Sequence, residues 1–282
     1  MHALTAQLLQ SIVELALAED LGRGDLTTEA CIDPTQQGQA TIRARQPLVY
    51  CGGPVVAEVF RQVSPAVQVQ SLVNDGTSVA AGAQLTVLRG PAQALLMGER
   101  VALNFAQRLS ATATLTHHYV QALPPGSRTR ITDTRKTTPG LRAFERYAVR
   151  CGGGHNHRED LGAAVLIKDN HIAASGSIAQ AIAKARDRSP HTARITCEVD
   201  TLAQLEEALA AGTDIVMLDN FDMESLKTGI ALIAGRALVE ISGGVTLERI
   251  PELGNVGADL ISVGALTHSA GSVDLGLDWS TP

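Results

Sequence analysis

Residues 194–220 read RITCEVDTLAQLEEALAAGTDIVMLDN, and this stretch decides the fold. RITCEVD (194–200) is a short β-branched run that ends in polar residues. TLAQLEEALAAG (201–212) then has helical character, with Thr201 placed to cap its first turn and Gly212 just past its last. Asp200 stands next to Thr201 and could serve as the cap instead. DIVMLDN (214–220) is a second β-branched run with the same polar ending. Strand, helix and strand joined this closely make a βαβ unit, whose strands lie parallel.

The pattern extends in both directions. TRITDTRK (129–136) and AAVLIKDN (163–170) precede it; ALVEISGG (237–244) and DLISVGA (259–265) follow. Helical segments fall at 176–188 and 222–235. Six such strands could form an open doubly wound sheet or a barrel, and six is short of the eight of a closed (β/α) barrel. Arg135, Lys136, Lys168, Glu198, Asp200, Asp219 and the turn Ser242-Gly243-Gly244 all fall at or just past a strand's carboxyl end. In a (β/α) barrel that end is the catalytic face, with phosphate held by the loops after the last two strands. Here those loops contain SGG and GA.

The first hundred residues read differently. LTAQLLQSIVELALAEDLG (4–22) has helical periodicity stopped by Gly22; strands broken by turn glycines follow, including the Asp75-Gly76 turn. Residues 91–123, opening on Pro91, form one or two helices. This is an α+β domain, and its boundary with the barrel falls near 105–115.

Composition narrows the class. Hydrophobic residues make up 45% and aromatics 3%, which suits parallel strands packed against helices. No apolar run approaches the ~18 residues of a membrane span. The start lacks the basic segment of a signal peptide, and the four scattered cysteines form no CxxC, so a cytoplasmic protein is expected. Between 128 and 168, nine Lys and Arg stand against four acids; between 195 and 226, eight acids stand with no Lys or Arg. Basic walls that hold an anion and an acidic edge that holds a cation would explain this split, as would solvated helix faces. Nucleic acid is a poor partner for an acidic chain with few aromatics to stack on bases.

The individual motifs sharpen that reading. Glu198 and Asp219 end consecutive strands, and adjacent strands lie ~5 Å apart, a spacing at which two carboxylates suit Mg²⁺. Ser242, Gly243, Gly244 and Gly264 can offer backbone N–H groups to a phosphate, with His268 close by in sequence. Arg135 and Lys136 suit carboxylate or phosphate; strand alternation turns only one inward, unless the strand has already ended. His155-x-His157, inside CGGGHNHR (151–158), reads better as part of an anion clamp with Lys168 than as a metal pair, since no third soft ligand lies near. Cys151 and Cys197 have no activating partner in sequence and are read as structural. Arg142, Arg146 and Arg150 form an i+4 stripe, solvated or facing a subunit.

With EDLGRGDLTT (19–28), ERVALNFAQRLS (99–110), TRKTTPGLR (134–142), CGGGHNHR (151–158), LIKDNHI (166–172), EVD (198–200), MLDN (217–220) and EISGGV (240–245) in order, the chain closely resembles the quinolinate phosphoribosyltransferases (decarboxylating), also called nicotinate-nucleotide pyrophosphorylases. The resemblance implies an N-terminal α/β sandwich domain (1–110, with the tail 271–282 packing back on it) and an open α/β barrel of about seven strands (111–270). It implies a Mg²⁺-dependent transfer between quinolinate and phosphoribosyl pyrophosphate in NAD synthesis, by a homodimer or a higher oligomer. Arg135, Arg158 and Lys168 would hold quinolinate's carboxylates, joined by Arg100 from the partner subunit and by His157 in the same basic wall. Lys136 and Lys168 would lie by the reacting centre. Glu198 and Asp219 would meet the ribose and Mg²⁺–pyrophosphate, directly or through water. Ser242, Gly243, Gly244, Gly264 and His268 would cradle the 5′-phosphate. Two positions depart from the family pattern: Ala163, where Asp is usual, and Ala111, where Gly is usual.

Overall fold

The structure is a computed structural model that describes residues 4–280; the first three residues, and the last two of the expected tail, lie outside this range. In chain order its strands are β1 (Gln37–Ala44), β2 (Leu48–Val49), β3 (Gln68–Ser71), β4 (Ser78–Val79), β5 (Gln84–Pro91), β6 (Arg130–Thr132), β7 (Val165–Ile167), β8 (Ile195–Val199), β9 (Ile215–Asp219), β10 (Leu238–Ser242), β11 (Leu260–Ser262) and β12 (Leu275–Ser280). They divide between two compact units. One runs through His117 and adds Thr138–Gly153 and the chain from Leu266 onward; the other holds His118–Thr137 and Gly154–Ala265.

In the first unit an antiparallel sheet has the order β12-β1-β5-β3, so the C-terminal strand returns to pair with β1. The helix expected at 4–22 runs Ala6–Leu21, with Thr5 capping Leu8 N and Gly22 at φ 46° ending it. Residues 91–123 form one long helix, Ala92–Gln121. A further helix, Gly53–Val63, arises where the glycines read as a turn: Pro54 sits in the first turn, where its missing N–H costs nothing. Val55, Val56, Val59 and Phe60 share one face of it and are fully buried. Ala111 is buried in the long helix, where alanine is a better helix former than glycine, so this departure is absorbed. Buried Glu145 accepts from Arg108 Nη2 (3.1 Å), Thr138 N (3.0 Å) and Thr138 Oγ1 (2.7 Å), and so fixes residue 138. The Arg142, Arg146 and Arg150 stripe is half-buried on the helix Arg142–Cys151.

The second unit contains the parallel sheet anticipated from the repeating pattern, in the order β6-β11-β10-β9-β8-β7. All six expected runs supply a strand, and an isolated parallel bridge between Thr132 and His155 adds a seventh segment beside β6. Register sorts the side chains. Cys197 pairs with Val216, Val216 with Val239, and Ile241 with Ile261, an almost wholly apolar face. That face meets the helices: a Cβ placed on Gly229 of the helix Met223–Ile233 would lie 3.7 Å from Leu218 Cδ1. The opposite face carries Glu198, Met217 and Glu240 in one row, and Asp219 beside Ser242 in the next. Thr201, rather than Asp200, caps the helix Leu202–Ala210, accepting from Gln204 N at 3.2 Å.

Candidate active site

The polar face opens at the strands' carboxyl ends into a cavity of about 390 Å³, wholly within the second unit. Arg135, Lys136, His157, Arg158 and Lys168 line it on the basic side, and Glu198 and Asp219 on the acidic side. β6 ends at Thr132, so Arg135 and Lys136 lie on a loop rather than a strand, and both reach the cavity. That loop is folded on itself: Lys136 N donates to Thr134 Oγ1 (3.1 Å) and Thr137 N to Arg135 O (3.0 Å).

The basic wall is under electrostatic pressure. Burial, and then the like charge of Arg135, lower the Arg158 pKa from its ordinary value. Arg135 Nε is buried and makes no hydrogen bond to the protein. A buried donor without an acceptor is costly, and a bound anion would satisfy it. Arg158 Nη1 donates to Ala164 O at 3.0 Å, which anchors one end of the fork. Lys168 Nζ pairs with Glu198 Oε2, bringing two expected site residues into contact. Their pairing follows from register, because Ile167 lies opposite Cys197.

Beneath this wall lies support that the sequence reading missed. Asp133 is fully buried and accepts from Asn156 Nδ2 (2.6 Å) and from His157 N (2.7 Å). Glu240, 1% exposed, accepts from Ser262 Oγ and lies 3.2 Å from His157 Nε2. Glu240 sits inside an apolar strand, yet it stands two residues before Ser242. Residues two apart share a face, and that period was the available signal. His157 is thus bound into a carboxylate and backbone network. Among the described residues the one Cys, His, Asp or Glu trio close enough to share an ion is Cys51, Asp75 and Cys151, in the first unit. Asp75 already accepts from Gly52 N, Gly53 N and Tyr147 Oη, so its carboxylate is engaged as a helix cap and anchor.

On the acidic side, one expectation needs correcting. Glu198 lies opposite Met217 and not opposite Asp219, which instead pairs with Ser242. The two carboxylates share a face, but Asp219 stands two residues, about 7 Å, farther along its strand than a direct neighbour of Glu198. Asp219 Oδ2 accepts from Asn220 Nδ2 at 2.7 Å. Asn220 adopts φ 56°, unusual for a side-chain-bearing residue, and its N–H donates to Ser242 O at 3.1 Å. Gly243 follows at φ 81°, and a Cβ there would collide with the Asn220 side chain and come within 2.7 Å of its backbone nitrogen. This close approach requires glycine. Gly244 is also left-handed, at φ 56°.

Gly264 follows β11 in this unit, whereas Arg100 and His268 belong to the first unit and are not among the cavity's lining residues. Arg100 is exposed, and His268 Nδ1 lies 2.6 Å from Ser269 Oγ. Ala163 lies on an exposed loop. For a hard cation the acidic side offers two carboxylates, the oxygen donors that Mg²⁺ prefers. Their stagger suits an ion that also takes oxygens from substrate or water.

The chain is similar to known proteins over nearly its whole length. Residues 25–110 match the family model of the quinolinate phosphoribosyl transferase N-terminal domain, and residues 112–278 match that of the C-terminal domain. A probable nicotinate-nucleotide pyrophosphorylase [carboxylating] of Bacillus subtilis is 43% identical, over 96% of this chain and 93% of its own. A mitochondrial quinolinate phosphoribosyltransferase [decarboxylating] of Nicotiana tabacum is 38% identical, over 97% of this chain and 82% of its own. The solved nicotinate-nucleotide pyrophosphorylase of Francisella tularensis superposes with a TM-score of 0.95 at 37% identity, covering 99% of this chain and 98% of that one.

Proposed function

The chain belongs to the quinolinate phosphoribosyltransferase family, and we propose that its charged cavity divides that family's reaction between a basic and an acidic side. The enzyme is a decarboxylating phosphoribosyltransferase: quinolinate and 5-phosphoribosyl 1-pyrophosphate give nicotinate mononucleotide, pyrophosphate and CO₂ in NAD synthesis. The observation that carries the division of roles is the cation cluster of Arg135, Lys136, Arg158 and Lys168 facing Glu198 and Asp219, with Arg135 Nε buried and unpartnered.

Both substrates are multiply anionic, so each needs a different complement. Arg135, Arg158 and Lys168 grip the two quinolinate carboxylates, with the arginine forks suited to bidentate contact. His157 belongs to the same wall. Ser242, Gly243, Gly244 and Gly264 present backbone to the 5′-phosphate. As pyrophosphate leaves, positive charge grows on the ribose, and Glu198 and Asp219 stabilise it electrostatically. Loss of the 2-carboxylate leaves electron density on the ring, which Lys136 and Lys168 stabilise as neighbouring cations. Mg²⁺, held by Glu198 and Asp219 with substrate oxygens or water, would neutralise the departing pyrophosphate. In a homodimer Arg100 enters the partner's cavity and adds a cation. No described helix is long and apolar enough to cross a membrane, and a cytoplasmic location is part of this proposal.

The test is incubation with quinolinate, phosphoribosyl pyrophosphate and Mg²⁺, with and without chelator. Nicotinate mononucleotide and CO₂ should appear together, and chelation should stop both. Equal use of nicotinate, without CO₂, would contradict the assignment. Mixing inactive Arg100→Ala and Asp219→Ala subunits should restore about a quarter of the activity if each site draws on two chains. No recovery, despite demonstrated subunit exchange, removes Arg100 from the shared site.

A further inference from the structure

We propose that Glu240 is a positioning residue for this reaction: it holds His157 in one tautomer, and the ring in turn fixes the peptide of Arg158. The inference rests on the reading of Arg158 as a quinolinate ligand. The Arg158 N–H donates to His157 Nδ1 at 2.7 Å, so that nitrogen carries a lone pair. The ring proton therefore sits on Nε2, which faces Glu240 Oε1 at 3.2 Å. The other tautomer would set N–H against N–H at one end and a lone pair against a carboxylate at the other. Protonating both nitrogens would likewise break the bond from Arg158.

Glu240 can play this part because it is itself held. Ser262 Oγ donates to the same carboxylate oxygen, and Thr132 Oγ1 lies 2.9 Å from Ser262 Oγ. Register places these residues together, since Glu240 pairs with Leu260 on β11 and Ser262 with Thr132 on β6. A buried carboxylate is retained only where partners offset its desolvation, and Glu240 has two. It is not among the residues lining the cavity, whereas His157 and Ser262, both in contact with it, are, so its contribution passes through them. Asp133 fixes the other side of the same loop by accepting from His157 N at 2.7 Å. Arg158 is thereby held at its peptide by the imidazole and at its guanidinium by Ala164 O, 3.0 Å away.

The experiment combines spectroscopy with kinetics on the full chain. In ¹⁵N-histidine-labelled enzyme without substrate, the His157 signals, identified by their loss in His157→Phe, should show the Nε2–H tautomer alone. In Glu240→Met, which removes the acceptor opposite Nε2, that single-tautomer pattern should give way to a mixture of tautomers. The same variant should raise the KM for quinolinate about tenfold, the scale of one hydrogen bond to a charged group. Its KM for phosphoribosyl pyrophosphate should stay within about twofold, because a role in orienting Arg158 touches only one substrate. Ser262→Ala should move the quinolinate KM in the same direction by less, and covers the case in which Glu240→Met does not fold. An unmoved quinolinate KM together with an unchanged His157 pattern would overturn the positioning role, as would equal rises in both KM values. Absence of quinolinate turnover in the wild-type enzyme would instead overturn the functional reading itself.

Discussion

At the β7–β8 end of the parallel sheet, Lys168 meets Glu198, with 43% of the lysine side chain and 13% of the glutamate's exposed. At the β10–β11 end, Glu240 is 1% exposed and meets Ser262 and His157. An ion pair with its cation largely in solvent contributes about 1 kcal/mol, whereas stripping a hydrogen-bond partner from a fully buried carboxylate costs about 3 kcal/mol. The first pair can therefore part when an anionic substrate arrives, at little cost to the fold. The second cannot part cheaply, and it holds the loop that carries Arg158. Charge that does chemistry lies at the cavity surface, and charge that sets geometry lies underneath.

That contrast can be broken most sharply at the surface. Lys136→Ala and Asp219→Ala should each lower kcat by at least about a thousandfold, the scale of losing a transition-state electrostatic contact. Thermal unfolding should move little in either variant, and an active Asp219→Ala enzyme would remove that carboxylate from the reaction. Gly243→Ala should come next. It forces a side chain into a φ of 81° and against Asn220, at a cost of about 1–3 kcal/mol. Its KM for phosphoribosyl pyrophosphate should rise well above that for quinolinate; the reverse order would separate the glycine turn from phosphate binding. Smallest of all, a double-mutant cycle on unfolding free energy, with Lys168→Met and Glu198→Gln, should give a coupling below about 1 kcal/mol. A coupling several times larger would mean that the Lys168–Glu198 pair is structural after all.

The same contrast accounts for what could be read from the sequence. Strand–helix alternation follows local rules of periodicity and capping, so the six parallel strands and Thr201 as a cap were recoverable from local sequence. Charged residues at strand ends were also recoverable, because an apolar run that closes on a charge marks where the strand leaves the core. The stagger of Glu198 and Asp219 was not, since register depends on how whole strands pair. Glu240 and Asp133 were hidden for a related reason. A single acid in or just past an apolar strand gives no sign of its partners until Ser262, His157 and Asn156 arrive from elsewhere in the chain. The helix Gly53–Val63 was masked by glycines that in fact stand at its entry, where Asp75 accepts their N–H groups at 3.0 Å.

The central claim is that the basic side of the cavity is built for two carboxylates on one ring. Calorimetric titration of the wild-type enzyme with quinolinate and with nicotinate, at one ionic strength, tests it directly. Quinolinate should bind at least about tenfold more tightly, the worth of one additional charge-assisted contact. Equal affinity for the two ligands would contradict the account.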